Sequence, residues 1–248
     1  MDNSEKYHFN DFTQSHYIEI LKLAKQNYLF ANYENFKEKE AFLIWRHDVD
    51  FSMEYAIELA KIENDLNIKS TYFLHIHSEF YNLLEYRSKK QIKQLINLGH
   101  DIGVHFDTHY YNIRSKDEIE KHLSYEKNLF IRFFEKVPVA FSFHNTNEFI
   151  ISCQDEYYAE LKNTYAKVFQ SEIGYCSDSN GYWRFDRLYD VIKSKKYKKL
   201  QVLTHPEWWQ EEVRSPKERV LNILEQRKAF TNTFYDNLMI EMGRENIK

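Results

Sequence analysis

The chain has 248 residues, 43% apolar and 29% charged, with a net charge of −4, so it can bury one sizeable core and lacks the basic footprint of a nucleic-acid binder. The densest basic stretch, 193–199, reads as a solvated turn before a strand, and two cysteines, Cys153 and Cys176, with no CxxC spacing exclude a disulfide scaffold. The opening residues Met1 to Lys6 are polar and no window of about 18 apolar residues exists, so neither a secretory signal nor a membrane-spanning helix is expected, and the expected location is the cytoplasm.

In chain order, residues 11–28 predict a helix, with Tyr17, Ile20, Leu21 and Ala24 at helical spacing. The apolar run Ala41-Phe42-Leu43-Ile44-Trp45 predicts a strand covered on both faces. A helix over 53–66 follows, with Ser52 as N-cap and an apolar stripe of Met53, Ala56, Ile57 and Ala60. Residues 70–77 predict a second strand. Ser88-Lys89-Lys90-Gln91 has the form of a capping box, and Gly99 suits the residue after a helix end. Residues 101–104 predict a third strand, and Ser115-Lys116-Asp117-Glu118 opens a helix with Ile119, Leu123, Phe130 and Phe134 facing inward. Further strands fall at 139–143, 173–176 and 200–203, and Ser215-Pro216-Lys217-Glu218 opens a last helix. Strand–helix alternation at this spacing predicts a parallel sheet with helical crossovers.

The chemistry-bearing residues fall at the ends of these strands, where active sites of parallel α/β folds assemble. His47, Asp48 and Asp50 follow the first, His105 and His109 the third, His144 the fourth, Asp178 a later one and His205 the last. Asp48-Val49-Asp50 can offer one carboxylate to a cation and keep the other free for a proton. His105 and His109 reach one ion together if the segment between them is a helical turn. His205 suits a general acid, its ordinary pKa lying near neutrality. His75 and His77, on one face of the second strand, either line the pocket or, the favoured reading, hydrogen-bond within the barrel; Trp183, Trp208 and Trp209 suit sugar-face stacking but read first as core or lid aromatics.

At these residues the chain resembles the polysaccharide deacetylase family, the NodB-homology domain. The resemblance spans roughly 40–210 and rests on Asp48/Asp50, on Gly99-His100-Asp101-Ile102-Gly103 followed by His105 and His109, and on Leu203-Thr204-His205. It implies an irregular (β/α) barrel, here one deacetylase-like domain with an N-terminal helical extension (1–40), a barrel core (41–210) and a C-terminal helix (211–248). It also implies a metal held by Asp50, His105 and His109, with Asp48 as base, His205 as acid and an oxyanion site near Ser142 to His144. The family's Arg-x-Pro-Tyr motif has no counterpart at Ala140 to Asn145. The orienting positions therefore fall to Arg46, His144, Asp178 and Arg184.

The expected reaction is metal-dependent removal of an N-acetyl or N-formyl group from an amino sugar, nucleotide- or lipid-linked, in surface-polysaccharide assembly. Zinc is the first expectation for the ion, and iron(II), cobalt or manganese also suit two histidines and a carboxylate. Two alternatives use the same residues. One is an inactive sugar-binding relative. The other is a non-haem iron oxygenase, which strand–helix alternation argues against.

Overall fold

A computed structural model describes residues 2–247. Its strands are β1 (Phe30–Ala31), β2 (Phe42–Val49), β3 (Thr71–Leu74), β4 (Asp101–Asp107), β5 (Ala140–His144), β6 (Tyr157–Tyr158), β7 (Leu161–Asn163), β8 (Gly174–Ser177) and β9 (Lys199–Thr204). They form one sheet in the order β6-β7-β5-β4-β3-β2-β9-β8, with β1 also pairing with β2. Every ladder is parallel except β6–β7. The helices are α1 (Asn3–Lys6), α2 (Gln14–Asn27), α3 (Met53–Asp65), α4 (Tyr86–Asn97), α5 (Lys116–Phe134), α6 (Glu148–Ser152), α7 (Lys167–Ser171), α8 (Leu188–Ser194) and α9 (Pro216–Glu241). No helix among the described residues is long and apolar enough to cross a membrane.

The central strand β2 is buried along its whole length, yet its two faces differ. Leu43 and Trp45 pack with residues of α2, α3 and α8, and Val49 with α3 and α4. Phe42 and Ile44 point the other way, into a separate cluster with Ala31, Tyr33, Phe73, Ala140 and Phe169. That cluster fills the concave side of a curled sheet. The curl is visible in one contact: Arg46 on β2 hydrogen-bonds Thr164 Oγ1, just beyond β7, although β3, β4 and β5 separate the two strands in the sheet. The result is an irregular, incompletely closed (β/α) barrel. Its lumen is so full that a Cβ on Gly103 would sit 2.4 Å from the Phe73 ring.

Two local expectations are corrected. Helix α4 starts at Tyr86 with Glu85 as N-cap, not at the Ser88 capping box, and Ser88 is buried inside it. Glu85 makes no side-chain cap because its carboxylate is engaged by both Nη atoms of Arg227 at 2.7 Å. The second strand stops at Leu74, short of residue 77, because the His75 N–H turns away to donate to Tyr81 Oη. The boxes at Ser115 and Ser215 form as the sequence predicts.

Candidate metal centre

Period-two alternation builds the site. Since odd residues of β2 face the helices, Arg46 and Asp48 face the lumen, and His47 is turned outward. There His47 Nε2 lies 2.6 Å from Glu63, a buried carboxylate that also accepts from Tyr17 and Tyr72, while its Nδ1 meets Thr204 Oγ1 at 3.0 Å. His47 is thus a structural histidine. On β4, Val104 and Phe106 join the helical-side core and His105 faces inward; on β5, Phe141 and Phe143 do likewise, leaving Ser142 and His144 inside.

These lumen residues meet Asp50 at the mouth. Asp50 Oδ1 lies 3.0 Å from His105 Nε2 and 3.4 Å from His144 Nδ1, and those two nitrogens are 3.1 Å apart. Donor atoms about 2.0–2.1 Å from a zinc ion sit roughly 3.0–3.4 Å from one another in octahedral to tetrahedral geometry, so the triangle has the dimensions of one ion's donor set. His105 Nδ1 lies 3.2 Å from the Ser142 carbonyl oxygen, so in the neutral ring the proton sits on Nδ1 and Nε2 keeps the lone pair that an ion would use. His75 stands beside them: its donor, that of His144 and that of Asp50 all lie within 4.8 Å of one another. His75 Nε2 is buried without a hydrogen-bond partner, as a nitrogen open to a cation would be.

Electrostatics agrees. Burial would raise Asp50, but the charge and hydrogen bond of His105, the hydrogen bond of His144 and the charge of His205 outweigh it and hold the carboxylate well below its usual range. Burial, with His105 and His144 adding to it, pushes His75 down to about 3, so its ring is neutral.

Solved structures similar to this chain include deacetylases and esterases. One is a family 4 acetyl xylan esterase from Clostridium thermocellum in complex with a cobalt ion (14% identity, TM-score 0.45, 82% of this chain and 92% of that one). A chitin deacetylase from Colletotrichum lindemuthianum gives 14% identity and a TM-score of 0.43, covering 74% and 81%. A CE4 family pseudoenzyme from Bacillus anthracis gives 13% and 0.42, covering 74% of this chain and 60% of that one. No family model matches the sequence, and no curated protein matches it.

Beside the triangle lie two further titratable groups. Asp48 Oδ2 accepts from Ser142 Oγ at 2.9 Å and faces Arg46 Nη2 at 3.4 Å, while Oδ1 is buried and unpartnered. His205 lies beside Asp50, its Nε2 3.9 Å from Asp50 Oδ2. Its Nδ1 is 2.6 Å from the buried Asp178, which also accepts from Trp209 Nε1. Burial opposes the imidazolium, but Asp178 prevails and lifts His205 to about 10.

The structure brings together Arg46, Asp48, Asp50, His105, His144, Asp178 and His205. It does not bring His109 or Arg184. The chain is still in β4 through Asp107, so no helical turn aligns His109 with His105. His109 instead lies on a tight turn, half exposed, its N–H and Nδ1 both directed at Asp107. Arg184 is exposed and stacks only on Phe185. His144, expected at an orienting position, is among the donors. Trp183 and Trp209 pack in the core beside Phe12. Sequence reasoning passed over Glu207, which is fully buried with both carboxylate oxygens unpartnered; burial and the nearby Asp50 push its pKa well above the usual carboxyl range. Its only sequence signal is its place two residues after His205.

Proposed function

We propose that the protein is a metal-dependent hydrolase that removes an N-acyl group from an amino sugar, with Asp50, His105 and His144 holding a divalent ion, zinc first among candidates. The observation that carries this reading is the donor triangle with a free carboxylate oxygen and a carboxylate-held histidine beside it. When bound, such an ion supplies carbonyl polarisation and a lowered water pKa. Asp48 Oδ1 is the free acceptor for the proton of the attacking water, and Arg46 and Ser142 fix its carboxylate. His205 Nε2 carries the proton destined for the leaving amine, and Asp178 keeps that proton in place. Amide hydrolysis needs both groups, because water must lose a proton and the amine must gain one.

A cavity of about 660 Å³ on the same rim, lined by His109, Asn112, Arg114, Asn147 and Glu148 among others, supports a polar substrate. Its amides and its one arginine, Arg114, suit a hydroxyl-rich sugar, so the substrate class proposed is a nucleotide- or lipid-linked amino sugar met in the cytoplasm during surface-polysaccharide assembly.

The test is release of acetate or formate from N-acylated amino sugars, free and nucleotide-linked, by protein loaded with zinc or cobalt. Ion-dependent release is expected, with a melting temperature raised by the ion in wild type and in His109→Ala but not in His144→Ala. Ion binding without acyl release from any such substrate would overturn the hydrolase assignment.

A further inference from the structure

His75, a residue on no recognised motif, stands beside the triangle, its donor atom grouped with those of Asp50 and His144. We infer that His75 is a fourth protein ligand, so that the centre is a three-imidazole, one-carboxylate site. This rests on the metal reading above and goes beyond it.

Three observations carry it. Its donor atom lies within 4.8 Å of those of both Asp50 and His144. Its Nε2 is buried and makes no hydrogen bond, although Asp107 Oδ2 is 3.8 Å away. And the turn that presents it is tied to the Asp50 end of β2. Tyr81 Oη accepts from the His75 N–H at 3.1 Å and donates to the Val49 carbonyl at 2.8 Å, while Ser78 Oγ donates to the Asp50 carbonyl at 2.8 Å. Two hydroxyls thus hold the turn after β3 against the residue that supplies the carboxylate. Such a fixed approach is what a ligand requires, and an incidental core histidine does not need it.

The chemical consequence is coordination number. Four protein donors close a tetrahedral ion, and a hydrolytic centre needs an open position. An ion held by all four residues would need a fifth or sixth position for water, which suits cobalt, nickel, iron(II) or an expanded zinc site.

The test is metal affinity and cobalt spectroscopy on the full chain. Apo protein is titrated with zinc against a competing chelator, and separately with cobalt(II). His75→Ala is expected to weaken zinc by about 100-fold or more, beyond the roughly 10–100-fold that loss of an outer partner costs. Its cobalt absorption bands should shift as a nitrogen donor is replaced. His77→Ala, two residues away, should match wild type in both measurements. If His75 only pairs with Asp107, His75→Ala keeps the wild-type affinity and spectrum, and the inference fails. A wild type that binds neither ion overturns the metal reading itself. Circular dichroism of each variant, with His75→Gln as a second substitution, separates ligand loss from misfolding: a folded His75→Gln with unchanged cobalt bands also refutes the proposal.

Discussion

Asp48 and His205 divide the proton work in this proposal, and their surroundings suit opposite tasks. Asp48 has one oxygen tied and one free; His205 has one nitrogen tied and one free. General acid–base groups contribute typically ~10²–10⁴-fold, so Asp48→Asn and His205→Ala should each lower kcat on that scale while the ion is retained. Because Asp178 raises His205 to about 10, the acid stays protonated through neutral pH, and activity falls on the alkaline side only when that proton is lost. Asp178→Asn removes the raising charge, so the alkaline limb of the pH–rate profile should move to lower pH. An unmoved limb would take the Asp178–His205 pair out of the reaction. Of these residues, Asp48, Asp50, His105, Asp178 and His205 were legible as strand-end polar groups. His75 and His144 as ion donors were not. Their roles depend on which residues of other strands and turns meet them in the lumen, and neither the turn that holds His75 nor the alternation of β5 says what those neighbours are.

The elements themselves were mostly legible, because helix ends here carry explicit signals: side-chain caps at Ser52, Ser115 and Ser215, and Gly99 in left-handed backbone at φ 82°. The β6–β7 hairpin was not. Its tight turn places Ala159 and Glu160 at φ 48° and 62°, a conformation that normally calls for Asn or Gly. Contacts from α5 hold it instead: Lys127 Nζ donates to the Ala159 carbonyl and to Glu160, and Glu120 accepts from the Ala159 N–H. Tertiary support has replaced turn chemistry, so no short-range pattern announces the hairpin. Ala159→Asn should relieve the backbone and stabilise the fold by roughly 0.5–1 kcal/mol, about 1–4 °C in melting temperature. A lowered melting temperature would show that the turn is not strained.

Across the whole molecule, the polar residues of β2 hold two environments apart. On the helical side, burial opposes the charge of Glu63, but His47, with help from His100 and Tyr17, brings it from 4.5 to about 2. A carboxylate depressed on folding stabilises the native state above its unfolded value and ceases to do so as pH falls through the folded one. Stability should therefore decline between about pH 4.5 and 2, by on the order of 3 kcal/mol from this group. Urea midpoints measured down this range should fall less steeply in Glu63→Gln, and parallel curves would assign the acid sensitivity elsewhere. The same alternation has an evolutionary corollary. Substitutions along β2 act one site at a time, but inserting or deleting a single residue near Ile44 would rotate every later side chain to the other face. His47 would enter the lumen, while Arg46 and Asp48 would be driven under α2 and α3. The length of this strand should therefore vary less than its composition, and lineages should diverge there by replacement rather than by indel.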